Sequence, residues 1–268
     1  MRYQRLGLFA HDARPVADEV ARKIEGRAAE LGLETTRVNE GGVLPEGIDV
    51  VVGIGGDGTL LAAAASAYPA DVPVIGVNLG TVGYLTDVAP GDTDAMVAAL
   101  DAGTVSVTHR MVLEATSDAG SWFGINDVVL EKVVAQHIVY VGVEIEGHHF
   151  ATYRADGIIV ATPLGSTAYS LSAGGPVVDP SLDAMILTPV APHSLLSRSI
   201  VVSPDARLRF TVASERPVGL DLDGRSACIL AEGEHVTVAK AARSMRFLTT
   251  GDHPFPQAVR RQFGIDHA

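Results

Sequence analysis

Cysteine is almost missing from this chain. One residue, Cys228, cannot make an intramolecular disulfide, and there is no cysteine cluster to hold zinc. Cys228 therefore reads as a small buried hydrophobe. Basic charge is short as well: 20 Lys and Arg stand against 32 Asp and Glu, a formal net charge of −12. A nucleic-acid backbone wants a basic face, so this balance argues against nucleic acid as a main partner. A small phosphorylated ligand needs only a local anion site and is not excluded. No apolar run approaches the roughly 18 residues a membrane span requires, so no membrane partner is expected. The segment Met1–Phe9 runs straight into a strand-like stretch without a long apolar core, and no secretory signal is expected. These absences together point to the cytoplasm. A G-x-x-x-x-G-K-[ST] loop is missing too, so any phosphoryl transfer proceeds without a P-loop lysine. Internal repeats, low-complexity segments and long linkers are not found.

What is present is a globular composition, 47% hydrophobic and 19% charged over 268 residues, enough for one large domain or two modest ones. The first hundred residues alternate strand and helix. Strand patterns fall at residues 5–10, 33–38, 49–54 and 72–78, and helix patterns at 15–31, 60–67 and 92–102. That alternation implies a parallel, doubly wound sheet, an α/β N-terminal domain over residues 1–105. From about Val105 the texture becomes β-branched. Strand patterns follow at 107–116, 121–131, 138–145, 149–151, 157–162, 199–202, 208–212, 218–222, 227–230 and 236–239. Glu146-Gly147-His148 and Asp223-Gly224-Arg225 look like hairpin turns. Residues 106–249 are thus expected to form a mainly antiparallel, β-rich, sandwich-like C-terminal domain, and residues 256–263 a final helix.

Gly55-Gly56-Asp57-Gly58-Thr59 carries the most information. It lies between an apolar strand pattern and an Ala-rich helix pattern. Glycines there allow positive φ or close approach to a ligand. Thr59 is a good cap for the helix, whose N-terminus offers N–H groups and a positive dipole end to an anion. A carboxylate, Asp57, in the middle of an anion-friendly turn suggests chemistry, or recognition of a hydroxyl, beside a phosphate. Gly53 to Gly58 also fits G-x-G-x-x-G, but Asn78 stands where a Rossmann site wants an acidic residue. The Asn78-Leu79-Gly80 loop follows the next strand and leaves the Asn78 amide for a ligand, with Tyr84 and Leu85 as an apolar wall. Asn126-Asp127 is a polar pair inside a strand pattern, and burying it needs partners such as ribose hydroxyls or an adenine amine; a hairpin turn is the alternative, which the strand-like flanks weaken. The stretch from Arg154 to Pro176 runs from a buried strand into a turn rich in hydroxyls and glycine, where Ser166 and Thr167 can cap a helix or donate to phosphate and ribose. Residues 188–195 read as a rigid, proline-bounded loop, with His193 as a structural hydrogen-bonder.

These segments, in this order, resemble the NAD kinase family over nearly the whole chain. The Gly-Gly-Asp-Gly-Thr turn alone also fits lipid kinases of the diacylglycerol type; the Thr-Pro-x-Gly-Ser-Thr-Ala-Tyr segment, here residues 162–169, is much more specific. The resemblance implies phosphorylation of the adenosine ribose 2′-hydroxyl of NAD by ATP or polyphosphate, with Mg²⁺ or another divalent cation on the donor phosphates. It implies that residues 250–268 return to the first domain and that the protein is a homodimer or homotetramer. It makes Asp57 the general base, and places donor phosphates on Gly55, Gly56, Gly58 and Thr59. NAD is then held by Asp57, Gly58, Asn78, Tyr84, Asn126, Asp127, His137, Arg154, Asp156, Thr167, Ala168, Tyr169, Ser172 and Ala191. No resident metal ligand is implied. The chain departs from the family where Asp127 replaces the usual Glu, where Leu61-Ala62-Ala63 lacks a basic residue, and where Arg225 follows Asp223-Gly224. A non-catalytic NAD-binding sensor and a lipid kinase stand as alternatives, and a Rossmann dehydrogenase as the weakest.

Overall fold

The computed structural model describes residues 2–11, 14–39, 41–80, 85–86, 88–135, 137–193, 196–251 and 254–265, without the side chain of Arg261. It divides into two compact units: residues 1–109 with 245–268, and residues 110–244.

The first unit contains β1 (Arg5–Ala10), α1 (Pro15–Glu30), β2 (Glu34–Arg37), β3 (Val50–Gly55), α2 (Asp57–Ala67), β4 (Val74–Asn78), α3 (Thr93–Ala102) and β5 (Ser106–Arg110), whose last residue crosses the boundary. Pro15 opens α1 where its missing N–H costs nothing, and Gly103, left-handed at φ 69°, closes α3. Every residue of β3 and β4 is buried, as expected of a parallel sheet covered on both faces. The pairings of β2 with β1, β1 with β3 and β3 with β4 are parallel. Leu6, Leu8, Ile24, Ile54, Ile75, Met96 and Leu100 form the centre of the core. Gly53 and Gly76 are paired across β3 and β4, and a Cβ on either would meet Leu60 of α2 at 2.9 or 2.7 Å. These two glycines therefore let α2 lie directly on the sheet.

The second unit runs through β6 (Leu113–Ser117), β7 (Gly120–Gly124), β8 (Asp127–Lys132), β9 (Val139–Ile145), β10 (His148–Ala155), β11 (Gly157–Ala161), the short α4 (Tyr169–Ser172), β12 (Met185–Val190), β13 (Ile200–Val202), β14 (Leu208–Val212), β15 (Val218–Leu222), β16 (Arg225–Leu230) and β17 (His235–Lys240). They form two six-stranded antiparallel sheets, β10-β9-β14-β17-β6-β7 and β13-β12-β11-β8-β15-β16. Alternate residues from both sheets meet in one core: Val139, Val141 and Val143 from β9, Leu208, Phe210 and Val212 from β14, Val128 and Leu130 from β8, Ile158 and Val160 from β11. The intervening residues Val129, Ile159, Ala161 and Ile186 are buried on the opposite face under Ala173 and Val178. Strands β8, β11 and β12 are thus covered on both faces, which is why they read as continuous apolar runs. The chain then returns to the first unit as β18 (Met245–Thr249) and α5 (Phe255–Phe263). Strand β18 lies between β4 and β5 and pairs with β4 in parallel.

The α/β and antiparallel β-sandwich expectation holds, with local corrections. Residues 107–116 are two strands broken at Met111–Val112; both are buried, so hydropathy does not mark the break. Residues 121–131 are also two strands, β7 and β8, with a sharp turn between them. Gly124 permits that turn: a Cβ there would lie 2.5 Å from the Asp127 carbonyl oxygen. Strand β10 covers eight residues rather than three. Residues 188–190, read as part of a loop, end strand β12. Pro189 does not break it because β13 pairs only as far as Leu187, so no ladder bond is lost on that side. Strand β18 falls outside the strand patterns read from the sequence. Cys228 is half-buried on β16 against the sandwich core, rather than fully buried.

Candidate functional site

In the first unit the Gly-Gly-Asp-Gly-Thr turn joins β3 to α2 without any residue at positive φ among its glycines. Glycine is required at position 55 for a different reason: a Cβ there would lie 2.2 Å from Thr59 Oγ1 and 2.5 Å from its Cβ. Helix α2 begins at Asp57, not Leu60, and its N-cap is Gly56. Thr59 is therefore not the cap; it sits in the first turn, buried, packed over Gly55. The cap makes no side-chain hydrogen bond, and the first intrahelical bond runs from Leu60 N–H to Gly56 O. Helix geometry leaves the N–H groups ahead of Leu60 without intrahelical acceptors, next to the positive end of the dipole. A Cβ on Gly56 or Gly58 would have no atom within 4 Å, so the space over these two residues is open.

Asp57 is the first residue of the helix, and its position is fixed by the segment after β4. Its Oδ1 accepts from the Leu85 N–H at 3.0 Å and from the Thr86 hydroxyl at 3.4 Å. Thr86 is buried and packs beside Gly76, whose Cβ would lie 2.9 Å from Thr86 Cγ2. Asn78 ends β4 and is buried, and its amide oxygen has a role within the chain itself. It accepts from the Gly80 N–H at 2.9 Å and so closes the turn. Tyr84 lies outside the described residues.

In the second unit two of the expected site residues, Asn126 and Asp127, lie at the turn between β7 and β8. Asn126 stands in the bend and Asp127 is the first residue of β8, rather than both lying within a strand. Several groups hold the bend. The Thr162 hydroxyl donates to the Ile125 carbonyl at 2.8 Å, and the Thr162 N–H donates to the Asn126 carbonyl at 2.8 Å. Gly165 packs so closely that a Cβ would lie 2.0 Å from the Asn126 carbonyl oxygen. The Asp223 carboxylate accepts from the N–H groups of Ile125, Asn126 and Asp127 at 2.8, 2.7 and 3.1 Å. Within this frame the Asn126 Oδ1 is buried and has no hydrogen-bond donor. Buried acceptors are normally satisfied, so this one is suited to a ligand N–H.

Asp127 is only 5% exposed. Burial, and secondarily the negative charge of Asp223, push its carboxyl up to about 7. Asp223 is also raised by burial, against the pull of its three backbone N–H donors and of Arg225. Tyr169 is exposed at the start of α4, and its hydroxyl lies 3.5 Å from Glu131 Oε2. Its phenol is raised by burial, then by the charges of Glu131, Asp156 and Asp127, which places Asp127, Asp156 and Tyr169 in one electrostatic neighbourhood. The Asp156 carboxylate pairs with Lys132 at 2.7 Å. Ala191, following β12, is exposed and left-handed at φ 43°, a conformation that strains a residue with a Cβ. Thr167 and Ala168 are partly buried beside Gly165, and Ser172 is exposed at the end of α4. His137 and Arg154 are exposed, and no described hydrogen bond or ion pair joins their side chains to the Asn126 turn.

Sequence reasoning did not single out Thr162, Gly165, Asp223 or Lys132. Thr162 and Gly165 are visible as parts of a motif, but their task, clamping a turn 37 residues earlier, is set by pairing of β11 with β8. Asp223 reads in the sequence as a hairpin residue and as part of the Asp223-Gly224-Arg225 motif, neither of which points to the Asn126 turn.

Two family models match the chain: the ATP-NAD kinase N-terminal domain over residues 7–105 and the ATP-NAD kinase C-terminal domain over residues 125–250. An NAD kinase of Syntrophotalea carbinolica is 34% identical over 280 residues, covering 97% of this chain and 98% of that protein. An NAD kinase of Heliobacterium modesticaldum is 37% identical over 275 residues, covering 96% and 97%. Among solved structures, an NAD kinase from Archaeoglobus fulgidus in complex with ATP matches with a TM-score of 0.79 at 25% identity, covering 98% of each chain. Yeast NADH kinase complexed with NADH matches in fold with a TM-score of 0.86 at 22% identity, covering 100% of this chain and 89% of that one.

Proposed function

The chain belongs to the NAD kinase family, and from that premise we propose that it transfers the terminal phosphoryl group of ATP to the adenosine ribose 2′-hydroxyl of NAD, with Asp57 as the proton acceptor. The matches favour neither a non-catalytic sensor nor a lipid kinase. The observation that carries the assignment is the fixed position of Asp57, first in α2 and held through one carboxylate oxygen by Leu85 and Thr86. A hydroxyl nucleophile needs a proton acceptor, while the rest of phosphoryl transfer is mainly positioning and charge neutralisation. The open backbone at Gly56 and Gly58, beside the positive helix end, is the element suited to donor phosphates.

Asn126 and Asp127 take the adenosine portion in this reading: the unpaired Asn126 Oδ1 accepts from the adenine amine, and Asp127 meets a ribose hydroxyl. Thr167, Ala168, Tyr169 and Ser172 line the NAD site, with Asp156 and Ala191 toward its nicotinamide half. Among the described residues no three metal-ligating side chains gather. The described residues thus offer no cage of their own, and a divalent cation fits best as one carried by the donor phosphates and water, where it would neutralise phosphate charge. Polyphosphate as an alternative donor, a homodimer or homotetramer, and a cytoplasmic setting belong to the same proposal.

The test is NADP formation by the purified protein with NAD, Mg²⁺ and ATP, repeated with polyphosphate, for the wild type and Asp57→Asn. We expect turnover by the wild type and a loss of about 10²- to 10⁴-fold in the variant, with NAD binding retained. Undiminished turnover in Asp57→Asn would remove the base assignment. Absence of NADP with every donor would remove the kinase reading.

A further inference from the structure

Asp223 has no part in the reading above, yet the Asn126 turn is built around it. The β15–β16 hairpin turns through Asp223 and Gly224, both left-handed at φ 50° and 74°. That backbone needs only residues tolerant of positive φ, and Asn or Gly would serve. A carboxylate accepting three successive backbone N–H groups from a turn 96 to 98 residues earlier is not explained by hairpin geometry. The Asp223 N–H also donates to the Asp127 carbonyl, so backbone and side chain grip the same turn from both ends. The pair is unequal. Asp223 has three N–H donors and the nearby Arg225 to favour its ionised form, whereas no hydrogen bond to the Asp127 carboxyl is described.

We propose that Asp223 is a positioning residue for the substrate-binding turn: it fixes the backbone that carries Asn126 and Asp127, and its negative charge beside that turn adds to burial in disfavouring a second anion at the Asp127 carboxyl, which in its protonated form meets NAD as a hydrogen-bond donor as well as an acceptor. This rests on the kinase reading and deepens it. The charged group that bears on Asp127 is Asp223 of the β15–β16 hairpin, itself acted on by Arg225 of the same hairpin; Asp127, with Glu131 of β8 and Asp156 just after β10, acts in turn on Tyr169 of α4. The Thr162 hydroxyl, at the end of β11, is uncharged and committed to Ile125. Protonation places one net negative charge on the pair, and a ligand hydroxyl or ring nitrogen can then be held without a second buried anion.

The experiment compares the wild type with Asp223→Asn, which keeps the left-handed turn and one carbonyl oxygen but removes the charge. Two quantities are read. One is the carbon-13 carboxyl titration of Asp127 without ligand, its signal assigned by loss in Asp127→Asn. The other is the KM for NAD and kcat from below to above pH 7. We expect the Asp127 titration to move to lower pH and KM to rise about tenfold, the weight of one charge-assisted hydrogen bond, with kcat changed by no more than about twofold. An unmoved titration, an unchanged KM, or a fall in kcat alone overturns the proposal. Wild-type protein that makes no NADP counts against the kinase reading, and the titration still decides on Asp223. Should the Asn variant fail to fold, Asp223→Glu replaces it: the charge stays, the longer side chain displaces the fork, and KM must rise while the Asp127 titration holds.

Discussion

Replacing Asp127 with Asn should stabilise the second unit, and by an amount that grows with pH. The Asp127 carboxyl is raised from 3.8 to about 7, by burial first and by Asp223 second. In the unfolded chain it returns to the ordinary range. Between those two values the folded protein binds the extra proton, so stability is greatest below about 3.8 and is lost as pH rises toward 7. Each pH unit between the folded and unfolded values corresponds to about 1.4 kcal/mol, so the whole span amounts to about 4 kcal/mol. Asn carries no proton to lose and does not incur this penalty. The variant should therefore gain about 4 kcal/mol on the wild type between acid and mildly alkaline solution, beside any constant offset from the amide. Asp223 remains in both proteins, which confines most of the difference to position 127. Urea unfolding followed by tryptophan fluorescence is the assay, because Trp122 is the sole tryptophan and packs against the sandwich core from β7. A stability gap that does not change with pH, or one that closes as pH rises, would refute the reasoning.

Gly58→Ala should separate stability from activity. Alanine is favoured in a helix over glycine by about 0.5–1 kcal/mol, and its Cβ meets no protein atom within 4 Å, so thermal unfolding should shift upward. The same methyl group occupies the space proposed for donor phosphate, so the KM for ATP should rise; a variant with unchanged KM places the phosphates elsewhere. Gly165→Ala acts in the opposite sense. Its Cβ would sit 2.0 Å from a backbone oxygen that cannot rotate away, and the urea midpoint reported by Trp122 should fall by the equivalent of about 3 kcal/mol. An unchanged midpoint would show that the turn at Asn126 is not clamped.

Much of this architecture is legible in the chain because its signals are local. The apolar runs at β1, β3 and β4, the Pro15 start of α1 and the alternation in β9 and β14 each follow from a few adjacent residues. The site is legible in part for the same reason: Asp57 and the Asn126-Asp127 pair stand out as polar groups in apolar surroundings. What stayed hidden is non-local. Thr59 reads as a cap until its side chain is found over Gly55, and Gly53 and Gly55 read as places for positive φ or ligand approach until Leu60 and Thr59 are found filling the space of their missing Cβ atoms. Asp223 reads as an ordinary hairpin residue because the three N–H groups it serves lie about a hundred positions away. Pro189 reads as a break because the early end of β13 is invisible in one dimension.

Strand β18 has a consequence for how the protein is made. It fills the place between β4 and β5, and it comes from residues 245–249. On a ribosome the N-terminal segments emerge first, yet the neighbours β4 and β5 can only be bridged once a strand from near the other end of the chain arrives. Residues 110–244, by contrast, form a unit written in one uninterrupted stretch and can close on themselves while synthesis continues. Translation therefore begins one unit, completes the other, and only then supplies the strand that finishes the first, leaving the sheet beside Asp57 among the last parts of the nascent chain to gain its full set of partners.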